Sequence, residues 1–308
     1  MAVVTTGFFD GVHLGHRHVL ETVVSAARER GEEAIVVTFW PHPRTVLQQD
    51  AREFRLLTSL EEKKALLSAC GISRVEVLPF TREFAAMTAD DYLRLLADRF
   101  GASLVVMGYD NRIGSDKKTA EEICASQAVA SRPLPCALLS EQPLWASPSY
   151  VAEGDHGPAK HISPQPPISS TQIRKALEEG RVEDAGVMLG YRYGLLGVVV
   201  AGNQMGRTIG FSTANMQLYE PLKLVPMNGV YAVEVEVLGG KYKGMCNIGT
   251  RPTVGGTART IETHILDFDQ DIYGLPLQLR FIRRIRDERR FPSLDALREQ
   301  LLKDRQSI

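Results

Sequence analysis

Near residue 190 the apolar residues of this chain change their spacing, and no single regular architecture satisfies both patterns. Before that point, short β-branched runs alternate with stretches of helical period. Val3-Val4-Thr5, residues 34–39, Val75-Glu76-Val77-Leu78 and residues 103–107 read as strands, while Val19, Leu20, Val23, Val24 and Ala27 make one face of a helix. Thr88 followed by Asp91 reads as another helix start. Strands alternating with helices predict a parallel sheet covered by helices. Beyond residue 190 the period is two. Val233, Val235 and Val237 alternate with Glu234 and Glu236, Gly239-Gly240 supplies a hairpin turn, and Leu277, Leu279 and Phe281 repeat the alternation. Ser293 then caps a last helix carrying Leu294, Leu297 and Leu301. Antiparallel strands with a terminal helix predict a small closed barrel, because closure removes exposed strand edges.

At 308 residues, two domains are also what chain length favours. Between the two patterns, residues 131–168 hold half of the 16 prolines and lack periodicity, so a long surface excursion is expected there. A helix over residues 170–179 follows, ending at Gly180, and the boundary is placed just after it: 1–182 and 186–308.

Bulk properties exclude several classes. The 36 basic and 37 acidic side chains nearly cancel, so nothing global favours a nucleic-acid partner. No apolar run is long enough to cross a bilayer, and the N-terminus lacks the layout of a secretion signal. The four cysteines, Cys70, Cys124, Cys136 and Cys246, contain no CxxC pair, which argues against a zinc site and a disulfide framework and fits a reducing, cytoplasmic setting.

Two regions carry chemistry. Gly7-Phe8-Phe9-Asp10-Gly11-Val12-His13-Leu14-Gly15-His16 follows a strand and opens a helix, where backbone N–H groups and the helix dipole attract phosphate. His13 and His16 are three apart, so both imidazoles can face one ligand and stabilise charge on an α-phosphorus and its departing pyrophosphate. Taken alone, two histidines there equally serve as a cap or a surface feature. Ile168-Ser169-Ser170-Thr171-Gln172-Ile173-Arg174 places three hydroxyls at a second helix start and a cation one turn in, again suited to phosphate oxygens. Together the two segments resemble the HxGH nucleotidyltransferases, and with Thr38-Phe39-Trp40-Pro41-His42-Pro43 they are similar to the FMN adenylyltransferase domain of prokaryotic FAD synthetases.

The resemblance implies a Rossmann-like fold, direct attack of the FMN phosphate on ATP, and an ATP site built from Gly7, Phe9, Asp10, His13, Gly15, His16, Asp110, Ser169, Ser170, Thr171 and Arg174. Pro41-His42-Pro43 fixes an extended turn whether or not it touches substrate. The loop Gly108-Tyr109-Asp110-Asn111-Arg112-Ile113-Gly114 keeps Asp110 but lacks the aromatics usual there.

The second region is a glycine-bearing loop, Gly202-Asn203-Gln204-Met205-Gly206-Arg207-Thr208-Ile209-Gly210, running into Phe211-Ser212-Thr213-Ala214-Asn215. It combines a cation with hydroxyl and amide groups that can hold phosphates and a magnesium ion, and it is not a P-loop. Downstream, Glu262 and His264 lie on one face of a predicted strand and Ile261, Thr263 and Ile265 on the other. Glu262 there is either a proton acceptor or an ordinary surface carboxylate paired with Arg259 or Arg251.

This second set resembles riboflavin kinase, whose Gly-Phe-Pro-Thr-Ala-Asn signature becomes Gly210-Phe211-Ser212-Thr213-Ala214-Asn215. The resemblance assigns Glu262 as base for the ribityl hydroxyl, Thr213 and Asn215 as Mg2+ ligands, and Gly206, Arg207, Gly210, Phe211, Thr213, Asn215, Asn247 and Glu262 to the ATP and flavin site. Ser212 in place of proline frees φ and adds a donor, which predicts altered ATP or flavin affinity.

The expected whole is therefore an α/β adenylyltransferase domain followed by an antiparallel barrel kinase domain with a C-terminal helix. It uses Mg2+ and ATP to turn riboflavin into FMN and FMN into FAD, with no nucleic-acid or membrane partner, and a homo-oligomer compatible with the sequence. The alternatives are a riboflavin kinase with a decayed first half and a non-catalytic flavin-binding regulator. Intact His13, His16, Ser169, Thr171 and Arg174 oppose the first, and intact Glu262, Thr213 and Asn215 the second.

Overall fold

The computed structural model describes residues 1–47, 54–108, 111–129, 134–139, 168–202, 210–253 and 256–308. The chain divides into two compact units, Met1–Ser169 and Ser170–Ile308.

Unit 1 is built on five parallel strands: β1 (Ala2–Thr6), β2 (Glu33–Trp40), β3 (Arg74–Pro79), β4 (Ala102–Met107) and β7 (Cys136–Leu138), in the order β3-β2-β1-β4-β7. The strands bury both faces, which explains why they are apolar runs rather than alternating ones. On one face Val4, Ile35, Val37 and Val105 meet Tyr92, Leu93 and Leu96 of α5 (Ala89–Phe100). On the other, Val3, Val36 and Val106 meet Leu20, Val23 and Ala27 of α1 (Leu14–Arg30) and Leu67 of α3 (Leu60–Ala69). Each of these Val, Leu and Ile side chains contributes roughly 1.5–3 kcal/mol by leaving water. Thr88 caps α5 as expected, accepting from the Asp91 N–H at 3.2 Å. Short elements complete the unit: α2 (Pro43–Leu47), α4 (Arg82–Ala85), the hairpin β5 (Arg112–Ile113) with β6 (Lys118–Thr119), and α6 (Ala120–Val129).

The strand order runs outward from β1 in one direction and restarts with β4 on its other side, so β1 and β4 flank a topological switch point. In open α/β sheets the carboxyl ends of such strands are where ligands bind. Here the loop of residues 7–13 leaves β1 and the loop after Met107 leaves β4.

Two expectations are corrected in this unit. The proline-rich stretch is not structureless throughout: Cys136–Leu138 forms β7, paired parallel to residues 105–107 of β4. Three residues are too few to show a period, which is why the strand escaped detection. Residues 131–133 and 140–167 of that stretch lie outside the described residues. Cys124 of α6 and Cys136 of β7 also form a disulfide, with Cα atoms 5.2 Å apart, against the expectation of no disulfide. Packing of α6 beside β7 brings the two together, which spacing in sequence does not reveal.

Unit 2 opens with α7 (Ser170–Glu178) and α8 (Val182–Leu189). Gly180, at φ 76°, ends the first of these as expected. Packing places both helices with the barrel, so the break between units falls before α7 rather than after it. The strands β8 (Gly194–Val200), β9 (Ala214–Leu218), β10 (Gly229–Val237), β11 (Gly240–Thr253), β12 (Gly256–Ile265) and β13 (Pro276–Arg286) close antiparallel in the order β10-β11-β12-β9-β8-β13. Inside are Tyr231, Val233, Leu277, Leu279 and Phe281, with the Tyr231 and Phe281 rings edge to face at 5.2 Å.

The β10–β11 turn is shifted by one from expectation. Val237 pairs with Gly240, and the two turn residues are Leu238 (φ 51°) and Gly239 (φ 74°), the pair of positive φ values that a two-residue hairpin of matching twist requires. Helix α9 (Leu294–Gln306) starts at Ser293, whose side chain accepts from the Ala296 N–H. Its Leu294 is 55% exposed instead of facing the core, and the helix is held by Asp304, which Arg286 of β13 grips with Nε and Nη2 at 2.9 and 2.8 Å. Among the described residues, no helix is long and apolar enough to cross a membrane.

Candidate active sites

In unit 1 the chain leaves β1 through a turn of unusual backbone. Phe9, Gly11 and Val12 all have positive φ (52°, 83° and 38°) before His13 caps α1, its Nδ1 accepting the His16 N–H at 3.3 Å. Non-glycine residues rarely sit there, and such strain clusters at functional sites. The two imidazoles stack with centroids 3.6 Å apart, as their spacing predicts, and Phe9 meets His16 edge-on at 5.2 Å. Burial, then the neighbouring charges of His13 and Lys63, hold His16 well below the ordinary histidine pKa. His16 therefore rests as the neutral imidazole, and its Nδ1 is buried without a hydrogen-bond partner among the described residues.

Two glycines let this loop close. A Cβ at Gly7 would stand 3.2 Å from the Phe9 ring, and one at Gly15 would stand 3.3 Å from the His13 ring and 3.6 Å from the Ile168 carbonyl. The second contact shows that Ile168, the leading residue of the hydroxyl-rich motif, comes to the first turn of α1. Ser170 and Thr171 begin α7 and Arg174 lies one turn in. Asn111 Nδ2 donates to the Thr6 carbonyl at 3.5 Å, so the loop after β4 reaches the end of β1; Asp110 itself lies outside the described residues.

Asp10 is engaged within the protein. Its carboxylate is buried and accepts the N–H groups of Leu57 (3.0 and 3.1 Å) and Thr58 (3.1 Å) and the Thr58 hydroxyl (3.3 Å). It braces the loop from below. His42 packs between Phe8 (4.0 Å) and Phe54 (4.3 Å), while its Nδ1 accepts the Arg44 N–H.

Lys63 is the residue that sequence reading missed. It is 1% exposed, donates to the Phe8 carbonyl at 3.0 Å and the Thr38 hydroxyl at 3.1 Å, and lies 3.7 Å from the Phe8 ring centre. Burial pushes its pKa down to about 8, with Asp10 opposing. A signal existed: Lys63 stands four residues before the buried Leu67 and three after Leu60, on the apolar face of α3.

In unit 2 strand register assembles the second site. Glu262 of β12 pairs with Asn247 of β11 on one side and Asn215 of β9 on the other, so three residues 32 and 15 apart in sequence share one rung. Along β12, Ile261, Thr263 and Ile265 are buried while Glu262 and His264 are partly open, the alternation expected. Gly202 presses on this rung: a Cβ there would lie 2.1 Å from Asn215 Nδ2.

Phe211 is buried, 4.9 Å from the His264 ring. His264 Nδ1 is 2.8 Å from the Ser212 carbonyl, which only accepts, so Nδ1 carries the proton. Burial lowers the His264 pKa, with the Ser212 carbonyl opposing. Arg259, weighed as a partner for Glu262, donates to the carbonyls of Val225 and Pro226 and to Asn228 Oδ1. Gly210 has φ 78° and Thr213 immediately precedes β9, whereas Gly206 and Arg207 lie outside the described residues.

Residues 1–131 match the FAD synthetase family model and residues 189–308 the riboflavin kinase model. The bifunctional riboflavin kinase/FMN adenylyltransferase of Bacillus subtilis (strain 168) is 35% identical over 308 residues, covering 99% of this chain and 90% of the relative. This chain belongs to that bifunctional family. The Escherichia coli (strain K12) bifunctional riboflavin kinase/FMN adenylyltransferase is 36% identical, covering 98% and 90%. A crystal structure named for a macrolide-efflux protein of Streptococcus pneumoniae is 33% identical, covers 99% of this chain and 93% of its own, and superposes with a TM-score of 0.83. As a bifunctional riboflavin kinase/FMN adenylyltransferase, the chain carries both catalytic units, one for riboflavin to FMN and one for FMN to FAD.

Proposed function

We propose that phosphorylation occurs on the Asn215–Glu262–Asn247 rung of the barrel and adenylylation at the His13/His16 turn of unit 1. The observation that carries the first assignment is the register itself: a carboxylate flanked by two amides on adjacent strands, next to Thr213, is a set of oxygen donors able to meet a hydroxyl, phosphates and a hard cation together.

Glu262 accepts the proton of the ribityl hydroxyl as that oxygen attacks the γ-phosphorus of ATP, whose bond to the bridging oxygen breaks to release ADP. Asn247 and Asn215 fix the carboxylate's strands, and Phe211 and His264 close the flavin end. Thr213 and Asn215 are the Mg2+ ligands; when bound, the ion neutralises phosphate charge. Neutral oxygen donors suit a magnesium ion that arrives with ATP, and among the described residues no group of three His, Cys, Asp or Glu side chains stands ready to hold a metal alone.

At the first site His13 and His16 present imidazole N–H groups to the triphosphate at the N-terminus of α1. Ser169, which leads the hydroxyl-rich motif, offers its hydroxyl to the phosphate oxygens, and the FMN phosphate displaces pyrophosphate directly. Functionally this domain runs through residue 182 and the kinase domain from 186 to 308, although α7 packs with the barrel. The substrates are small molecules, and the cytoplasm is the setting where riboflavin and ATP meet.

The test is a time course with riboflavin, ATP and Mg2+, resolving riboflavin, FMN and FAD. Glu262→Ala blocks FMN formation but still converts supplied FMN; His16→Ala accumulates FMN and makes little FAD. FMN formation by Glu262→Ala at the wild-type rate would remove the proton-acceptor assignment.

A further inference from the structure

Lys63 poses a physical problem that the adenylyl-transfer chemistry outlined above leaves unused. An ammonium group is packed at 1% exposure against Phe8, Trp40 and Thr38, beneath the loop that presents His13 and His16. Burying a cation opposes folding unless its partners are excellent, and an apolar side chain of similar volume often serves stability as well or better. The partners here are one carbonyl, one hydroxyl and an aromatic face, with the Asp10 carboxylate acting at longer range and already engaged by Leu57 and Thr58. The lowered pKa, about 8, has the same meaning. Between that value and 10.5 the unfolded chain binds a proton that the native chain does not, so at neutral pH this lysine's burial weighs against the fold.

What the placement does achieve is local. Both donated hydrogen bonds converge near Phe8: the Lys63 ammonium bonds the Phe8 carbonyl directly, and the Thr38 hydroxyl that it also bonds donates to that same carbonyl at 3.2 Å. Phe8 precedes the strained turn at Phe9, Gly11 and Val12 that delivers His13 to the helix start. The charge also reaches His16, contributing after burial and His13 to keeping that ring neutral. Among the described residues, the charged and titratable groups coupled to Lys63 are Asp10 from the loop after β1 and His16 from α1, and β2 contributes Thr38 and Trp40.

We infer that Lys63 is a positioning residue for adenylyl transfer, holding the 7–13 loop through Phe8 and Thr38 and placing a fixed positive charge behind the phosphate site. This rests on the assignment of the His13/His16 turn to that reaction. A preorganised charge of this kind matters most where negative charge builds up on the α-phosphate and pyrophosphate. Because the group loses its proton near pH 8, FAD formation falls on the alkaline side.

The test uses the full chain, supplied with FMN, ATP and Mg2+ between pH 6.5 and 9.5. Lys63→Met and Lys63→Gln are compared with wild type and with His16→Ala, and riboflavin phosphorylation and the urea midpoint are read on each preparation. The expected result is a kcat for FAD formation lowered on the order of 10-fold or more in Lys63→Met. Its residual activity lacks the fall near pH 8, and the kinase rate is unchanged. Lys63→Gln keeps a donor for the Phe8 carbonyl without the charge; it too lacks the alkaline fall, and it decides the matter if Lys63→Met unfolds. Wild-type rates in both variants, or reduced rates that keep the wild-type pH profile, overturn the inference while leaving the site assignment standing if His16→Ala is inactive. FAD formation at full rate by His16→Ala overturns both.

Discussion

Gly202 and the side-chain amide of Asn215 are packed so closely that a Cβ at residue 202 would fall 2.1 Å from Nδ2 and 2.8 Å from Oδ1. An alanine there must push the amide aside, and that amide is the one proposed to hold Mg2+ beside Glu262. Displacement by about 1 Å costs on the order of 10²-fold in rate when the moved group positions a reacting centre. Gly202→Ala is therefore expected to lose most riboflavin phosphorylation while converting supplied FMN to FAD at the wild-type rate. Steady-state kinetics of the two half-reactions check it; equal loss in both would point to general misfolding.

The Ser212 carbonyl is held by His264 Nδ1, in a loop where the kinase family carries proline. The ring takes over part of the restraint that a fixed φ would give. Removing one such hydrogen bond is worth about 0.5–1.5 kcal/mol. His264→Ala should raise the KM for riboflavin or ATP by roughly 2- to 12-fold with a smaller change in kcat, and Ser212→Pro should recover part of that loss. Unchanged KM values in both variants would show that the loop needs neither restraint.

Arg286 and Asp304 tie the C-terminal helix to β13, and the carboxylate is only 2% exposed. Asp304→Ala leaves a half-buried guanidinium without its main partner, costing about 3 kcal/mol, the lower end for a buried pair because Arg286 keeps some contact with water. Urea unfolding followed through kinase activity measures this. The double change Arg286→Met with Asp304→Leu should recover much of the loss, since no charge is then stranded.

The legible part of this protein was what repeats or what chemistry demands locally. Short β-branched runs placed β1 to β4, strand period placed the barrel's Val233, Leu279 and Phe281, and the spacing of His13 and His16 gave their shared face. What stayed hidden depends on contacts between distant segments. Asn247, Glu262 and Asn215 become neighbours only through register across β11, β12 and β9. The hydrogen bonds from Leu57 and Thr58 to Asp10 join segments some 47 residues apart, and Lys63 reads as a surface charge unless its place on the apolar face of α3 is noticed.

His16 and His264 are both held below the ordinary histidine value of 6.5, mainly by burial. The unfolded chain therefore takes up protons that the native chain refuses as pH falls past 6.5. Their contribution to stability is complete above 6.5 and is lost as pH drops from there toward the native values. For His16 the slope in that window reaches about 1.4 kcal/mol per pH unit; for the more open His264 it is smaller. Urea midpoints taken between pH 5 and 7.5 should fall toward acid in the wild type and less steeply in His16→Asn, which cannot titrate. A midpoint independent of pH over that range would mean that both rings protonate freely in the folded protein.

The cysteines offer the last check, because each sits in a different environment. Cys246 is fully buried and burial pushes its thiol up to about 12, so almost no thiolate exists near neutral pH; Cys70 is half-buried and also raised. Cys124 and Cys136 are joined. In the folded, unreduced protein an aromatic disulfide reagent should label Cys70 slowly and no other residue. Urea alone should add Cys246, and a reductant with urea should expose all four. A non-reducing peptide map should carry the peptides of Cys124 and Cys136 as one linked mass that separates on reduction. Rapid labelling of Cys124 without reductant would mean that α6 and β7 pack with free thiols instead. The core contacts of Ile123 and Met107 would then hold that edge of the sheet alone.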